Sequence, residues 1–178
     1  MKIESPAFTM DDLRTFMSGY RDRERNLLAD RLQHVSDRVA ELGARVTAET
    51  GDDGDWNAHE ILAHIAVVSK FYGVLVHRIA SGKLEGMNLL EAVNLRDSAG
   101  KQMAELPPVE LIRLAQADHE RTIKTLREAS SESLDRSAQI DDGTSMTAEE
   151  VARLPLVSHL EMHVDQLEKM LAGRASNR

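Results

Sequence analysis

The sequence predicts an all-α protein, and within that class a four-helix bundle. Aromatic residues make up only 3% of the chain and there are four prolines, whereas leucine, alanine, glutamate and arginine are abundant. This composition favours helices over strands. Four long stretches each carry a single apolar stripe, and amphipathic helices of this kind bury their stripes against one another. No useful stretch alternates apolar and polar residues as a half-buried strand does.

The first long helix is predicted over residues 9–46, where apolar residues recur at helical steps, with Ser18-Gly19 as a candidate break. The second is predicted over 57–80. Asn57 stands three residues before Glu60, which is the spacing of a capping box, and Trp56 is placed to pack on Ile61 as a hydrophobic staple. The sequence therefore indicates where the second helix begins.

The rest of the chain is predicted to hold two further long helices and one minor helix. The minor helix covers 88–99, the third long helix follows Pro107-Pro108 to about residue 130, and the fourth covers 155–172 after a lead-in turn at 147–153. Residues 130–145 are polar and are predicted to form a loop. The loop lengths leave both up-down-up-down and crossover orders open.

Length and composition exclude several classes of protein. The 178 residues are predicted to form a single domain over 1–178, since about 100–200 residues is typical of one domain. The absence of cysteine excludes disulfides, a cysteine nucleophile, zinc fingers and iron–sulfur clusters. A net charge of −8 argues against a nucleic-acid partner. No long apolar run or signal-peptide pattern is evident, so we expect a cytoplasmic protein without a membrane partner.

Helix phase sorts the seven histidines. His64 lies at the edge of the apolar stripe of the second helix, whereas His59 and His77 fall on its solvent side. His159 and His163 are four residues apart on one edge of the fourth helix's stripe, a common way to hold one metal ion from a helix.

Helix phase and spacing predict structural roles for the other polar residues. Glu161 points away from His163 and cannot act as the base of a metal-bound water, unlike the glutamate of an HExxH motif. His119 faces the core and is expected to be satisfied by a hydrogen bond, and His34 is expected to be solvated. Glu24 and Arg31, seven residues apart, are expected to form a local ion pair.

Two segments resemble the signatures of one known family. Residues 56–65 (WNAHEILAHI) resemble the helix-2 signature of the DinB-like (YfiT-like) metalloprotein superfamily, which is a tryptophan, a small polar cap, a glutamate and then "LLAHL". Residues 159–166 (HLEMHVDQ) resemble that family's H-x-x-x-H, in which a glutamine often follows three residues after the second histidine. The resemblance covers roughly residues 20–172, and the two motifs together are fairly specific.

The resemblance implies a DinB-like bundle in which His64, His159 and His163 bind Zn²⁺, Ni²⁺ or a similar divalent ion. Family members include maleylpyruvate isomerases and thiol S-transferases that use bacillithiol or mycothiol, and many are homodimers. A low-molecular-weight thiol cosubstrate and a second copy of the chain are thus the implied partners. The chain departs from the family in its long 130–146 loop and in residues 1–20, a candidate N-terminal extension.

Three function classes follow. Three neutral imidazoles leave a tetrahedral ion at least one open position, which can activate water for hydrolysis or a thiolate for thiol transfer to a small molecule. Glu60, Tyr72, His119 and Gln166 are candidates for orienting ligands or moving protons. The alternatives are a non-catalytic metal-binding or ligand-binding stress or resistance protein, and a helical interaction protein whose histidines are incidental.

Overall fold

Four long helical segments build most of the fold, as predicted. A computed structural model describes residues 9–47, 56–141 and 143–173, and of Leu89 only the backbone. The helices are α1 (Met10–Gly43), α2 (Ala58–Ala80), α3 (Leu89–Met103), α4 (Pro108–Glu128), α5 (Ser131–Leu134), α6 (Ala148–Val151) and α7 (His159–Gly173). Between α6 and α7 lies a π-helical segment, Ala152–Ser158, called the π turn below.

The two longest helices begin at side-chain caps. Asn57 accepts a hydrogen bond from the backbone of Glu60 at 2.9 Å, and the Glu60 carboxylate accepts one from the backbone of Asn57 at 2.8 Å. This reciprocal pair confirms the predicted capping box of α2. Thr9 and Asp12 form the same arrangement at the start of α1. The candidate break at Ser18-Gly19 is wrong, because α1 runs through it; one glycine costs a helix only about 0.5–1 kcal/mol.

The fourth predicted helix begins earlier than expected. Helical structure runs from Ala148 through the π turn into α7, so Pro155 lies inside it instead of starting it. Proline has no N–H and cannot continue the α-helical hydrogen-bond pattern, and a wider π turn accommodates this loss. The Ser158 hydroxyl donates to the Arg153 carbonyl, five residues earlier, at 2.9 Å.

The predicted loop at 130–145 holds secondary structure. It contains α5 and the strand β2 (Ser137–Ile140), which pairs in parallel with β1 (Gly86–Met87) and antiparallel with β3 (Ser145–Thr147). Only Ala138 and Ile140 of β2 are buried, so its alternation is too short to be recognised in the sequence. The loop prediction was therefore wrong for these residues.

A single hydrophobic core joins the long helices. The large side chains that are almost completely buried are Leu28, Leu32, Leu42, Ile61, Leu62, Ile65, Ile79, Leu111, Leu126, Leu134, Leu156 and Leu160. By length and composition α2 is apolar enough to cross a membrane, but 56% of its most apolar window is buried inside the protein. Its contacts with α3, α4, α6, the π turn and α7 make it the central core helix.

Ion pairs join α1 to the π turn and to α7. Arg31 binds the Glu161 carboxylate with two hydrogen bonds, at 2.6 and 2.8 Å, and Arg153 lies 3.6 Å from Glu24. The expected local pair between Glu24 and Arg31 is therefore wrong, because both side chains turn toward other helices. Glu161 points away from the fourth helix's histidine edge, as its phase predicts.

The N-terminal part of α1 extends beyond the core. Leu28 is the first buried residue along the described part of α1. Before it, a stripe of exposed apolar side chains repeats at helical steps, formed by Met10, Leu13, Met17 and Tyr20, with Phe16 beside it. The stripe is in phase with Leu28, Val35 and Leu42, which face the core further along the helix.

Candidate metal centre

The structure brings His64, His159 and His163 together. His64 comes from the second turn of α2, and the other two come from the first turns of α7. One ring nitrogen from each residue lies within 4.8 Å of those of the other two, and the Nε2 atoms of His64 and His159 are 3.4 Å apart. The three residues that the motifs singled out therefore share one site, where they could hold a metal ion.

Hydrogen bonds on the side away from the cluster fix the orientation of two of these rings. The Nδ1–H of His163 donates to the Gln166 carbonyl oxygen at 3.0 Å, so its Nε2 carries the lone pair. The His159 ring bonds to the backbone of Pro155, whose only polar backbone group is a carbonyl, while its Nε2 faces His64. Such hydrogen bonds select the tautomer that a metal ligand needs.

Burial keeps the three rings neutral. Loss of solvent, followed by the proximity of His163 and His159, lowers the pKa of His64 to about 3. Burial is also the largest cause that lowers the pKa of His159 and of His163, against smaller raising effects from the Pro155 and Gln166 hydrogen bonds. Neutral imidazole is the form that binds a metal ion, so the site is prepared for one near pH 7.

The donor atoms fit a divalent transition-metal ion. Zinc–nitrogen bonds of about 2.0–2.1 Å in a tetrahedral site separate two ligand nitrogens by about 3.3 Å, close to the observed 3.4 Å. The Nε2 atom of His163 is buried and has no hydrogen-bond partner in the described structure, although buried polar atoms are rarely left unpaired. An ion held by the three rings would satisfy it. Among the described residues no carboxylate joins the cluster, so three ligands leave a coordination position open.

Trp56 covers one side of the cluster. Its ring centroid lies 4.6 Å from that of His64 and 5.9 Å from that of His163, nearly parallel to the latter. From the sequence, Trp56 was expected to pack on Ile61 and was part of the helix-2 signature, with no predicted role beside the histidines. Its position just before the capping residue, two turns from His64, was the available signal for a place at the site.

A tyrosine and an arginine lie beside His159. The Tyr72 ring meets His159 edge-on at 6.5 Å, and the Tyr72 hydroxyl accepts a hydrogen bond from Arg96 at 3.4 Å. The positive charge of Arg96 also makes a lesser contribution to lowering the pKa of His64 and His159. Arg96 was not predicted from the sequence, because its approach to Tyr72 depends on how α3 packs against α2.

The other predicted residues lie outside the cluster. Glu60 caps α2 and is exposed, so its role is in the helix terminus. His119 is buried and its Nε2 lies 2.7 Å from the Ser69 hydroxyl, which matches the expected core histidine; burial lowers its pKa to about 4. His34 and His77 are exposed, as predicted. His59 was expected to face solvent but is half-buried, because the turn between α3 and α4 approaches it: its Nε2 lies 2.8 Å from the Leu106 carbonyl.

Comparison with known proteins places the chain in a family. Its sequence matches the DinB superfamily over residues 20–167, so the chain belongs to that superfamily. Its fold is similar to the crystal structure of a mycothiol-dependent maleylpyruvate isomerase (21% identity, TM-score 0.63) and to that of a histidine-to-alanine mutant of a mycothiol-dependent maleylpyruvate isomerase (20% identity, TM-score 0.64). In each case the match covers 82% of this chain and 60% of the other, so the chain spans less than two thirds of their length. No curated protein matches this chain significantly.

Proposed function

We propose that this member of the DinB superfamily binds a divalent metal ion, Zn²⁺ or Ni²⁺, through His64, His159 and His163 and catalyses thiol transfer to a small molecule. The observation that carries the proposal is the convergence of three neutral imidazoles with an unpaired, buried Nε2 among them. Such a set suits a reactive ion better than a structural one, because it leaves room for an external ligand.

The ion supplies one kind of chemistry when bound: it stabilises a coordinated thiol as the thiolate, which is the nucleophilic form. The thiol must come from a cosubstrate, because the chain has no cysteine. A mycothiol-dependent enzyme among proteins of similar fold supports a thiol of low molecular weight.

The surrounding side chains have distinct tasks in this proposal. Gln166 and the Pro155 carbonyl hold the rings of His163 and His159 in place. Trp56 shields one side of the site from water. The Tyr72 hydroxyl, polarised by Arg96, is the group placed to donate a proton or hydrogen bond to a substrate beside His159.

The experiment is a thiol-transfer assay with mycothiol and with bacillithiol as donors and an activated aryl halide as acceptor. We expect the metal-loaded protein to accelerate transfer from at least one thiol, and chelation or His64→Ala to abolish the acceleration. His77→Ala removes an exposed histidine from the same helix and is the matched control. Metal binding without acceleration from either thiol would contradict the catalytic proposal and favour a non-catalytic binding protein, or a hydrolase if ester cleavage depends on the ion.

We further propose that the chain pairs with a second copy through the exposed stripe of α1. Met10, Leu13, Met17 and Tyr20 form a face that the described part of the chain leaves uncovered. Asp11 and Asp12 lie at the N-terminal end of this face, and Arg21 and Arg23 follow it. In an antiparallel pair of copies the acidic end of one helix meets the basic end of the other, so both apolar and charged groups are self-complementary.

A further inference from the structure

A groove between α2 and α3 begins near the histidine cluster and extends along α2. Its volume is about 320 Å³, at the lower end of the range for small-molecule sites. Its walls are apolar and are formed by Val67, Phe71 and Leu75 of α2 and Leu95, Ala99 and Met103 of α3.

The groove continues the face of α2 that carries His64. Val67, Phe71 and Leu75 follow His64 at three, seven and eleven residues, so they lie in one line along the helix. At the mouth, Leu95 is 71% exposed and Val74 is 46% exposed. The groove therefore offers apolar surface beyond what the core uses, and it begins one turn from the candidate metal centre.

Positive charge surrounds this apolar surface. Lys70 and Arg78 of α2 and Arg96 of α3 line the groove, whereas none of its described lining residues is acidic. Arg96 binds Asp97 and the Tyr72 hydroxyl, which holds it at the end near His159. No ion pair engages Lys70 or Arg78 within residues 9–47, 56–141 and 143–173. Because Asp97 pairs with Arg96, Lys70 and Arg78 supply the positive charge that favours an anionic ligand in this groove.

We propose that this groove binds an organic anion with an apolar body, such as a medium-chain or aromatic carboxylate, and presents it to the histidine cluster. The apolar body lies against Val67, Phe71 and Leu95, and the anionic group is held by the cations along the rim. The proposal deepens the proposed function, on which its catalytic meaning rests, by naming the class of substrate. Binding itself requires only the groove.

The test is calorimetric titration of the metal-free protein with octanoate, compared with octan-1-ol and propionate. Octanoate has both the apolar body and the charge, whereas each of the other probes has only one of them. We expect one octanoate per chain and clearly weaker binding of both comparison probes. Lys70→Gln combined with Arg78→Gln should weaken octanoate binding roughly fivefold or more and leave octan-1-ol binding unchanged.

Two further variants sharpen the result. Ala99→Leu fills the groove without changing its charge and should weaken the binding of both octanoate and octan-1-ol. Lys124→Gln combined with Lys169→Gln removes two exposed cations, one from α4 and one from α7, and is the matched control. No octanoate binding, equal affinity for octan-1-ol, or equal loss in the control would overturn the proposal. His163→Ala separates the two proposals: octanoate binding without metal binding supports the groove whether or not the metal proposal holds.

Discussion

At the residue scale, the hydrogen bonds behind the histidines decide which nitrogen each ring presents. His163 is held by Gln166, and His159 by a carbonyl that belongs to the π turn. Both partners lie within four residues of their histidine along the helix, so they move with it. Orientation of the rings is therefore a local property of α7 and the π turn.

Replacing Gln166 should weaken metal binding without unfolding the protein. Gln166→Ala removes the acceptor for His163 Nδ1–H, and loss of such a partner typically costs about 10–100-fold in metal affinity. Gln166→Glu keeps an acceptor and should retain the affinity, while Asp165→Ala alters an exposed neighbour as the control. Competition with a chelator measures the affinity, and equal values for Gln166→Ala and wild type would rule out this role.

His119 should make the metal-free protein sensitive to acid. Burial lowers its pKa to about 4, whereas an unfolded histidine titrates near 6.5, so the unfolded state binds more protons between these values. The free energy of unfolding should therefore fall as pH decreases from about 6.5 to 4, by at most about 1.4 kcal/mol per pH unit from this residue.

His119→Leu removes that titration and keeps an apolar side chain in the core. The slope of unfolding free energy against pH, measured by urea denaturation in the presence of a chelator, should become shallower in this variant. Ser69 still donates to the Ile65 carbonyl and is not left unpaired. An unchanged slope would show that His119 takes up no proton on unfolding.

At the scale of elements, the start of α2 and the π turn set the geometry of the site. The capping box fixes the start of α2 at Asn57. The Trp56 side chain, just before the cap, packs against the His64 ring, two turns into the helix. The π turn carries Ser158, whose hydroxyl and neighbouring Glu161 are bound by Arg31 of α1. Trp56 thus contacts α2 and α7 at the cluster, and Arg31 joins α1 to the π turn and α7.

Asn57→Ala should lower the free energy of unfolding by about 0.5–2 kcal/mol, because it removes the N-cap of α2. Asn57→Asp keeps an acceptor and should stay near wild type. Asn94→Ala changes an exposed asparagine inside α3 and should cause no loss. Urea denaturation measures the differences, and a stable Asn57→Ala variant would show that the capping hydrogen bonds contribute little.

The features that sequence analysis predicted are those encoded by neighbouring residues. The cap of α2 and the phases of His64, His159 and His163 depend on separations of three or four residues along one helix. The β1–β2 pair joins residues more than fifty positions apart, and Arg96 reaches the site only through the packing of α3 on α2. The π turn was missed because a change in hydrogen-bond register leaves little trace in apolar periodicity.

At the scale of the whole molecule, the exposed stripe on α1 predicts a dimer. Met17→Asp places charge at the centre of the proposed interface and should shift the protein to a monomer. Its thermal stability should equal that of the wild type at a concentration low enough to dissociate the dimer. Val109→Asp alters an exposed apolar residue on α4 and is the control. Light scattering after size-exclusion chromatography gives the mass, and a monomeric wild type at high concentration would contradict the dimer proposal.

The single tryptophan allows a direct measurement of whether the three histidines form one metal site. Trp56 contacts His64 and His163, so an ion bound there must change its fluorescence. Titration of untagged, metal-free protein with Ni²⁺ should quench the emission, with an end point at one ion per chain that elemental analysis confirms. His64→Ala and His163→Ala should lose the quenching, whereas His77→Ala should keep it. No quenching in the wild type, or equal quenching in His163→Ala, would show that these histidines do not form a metal site.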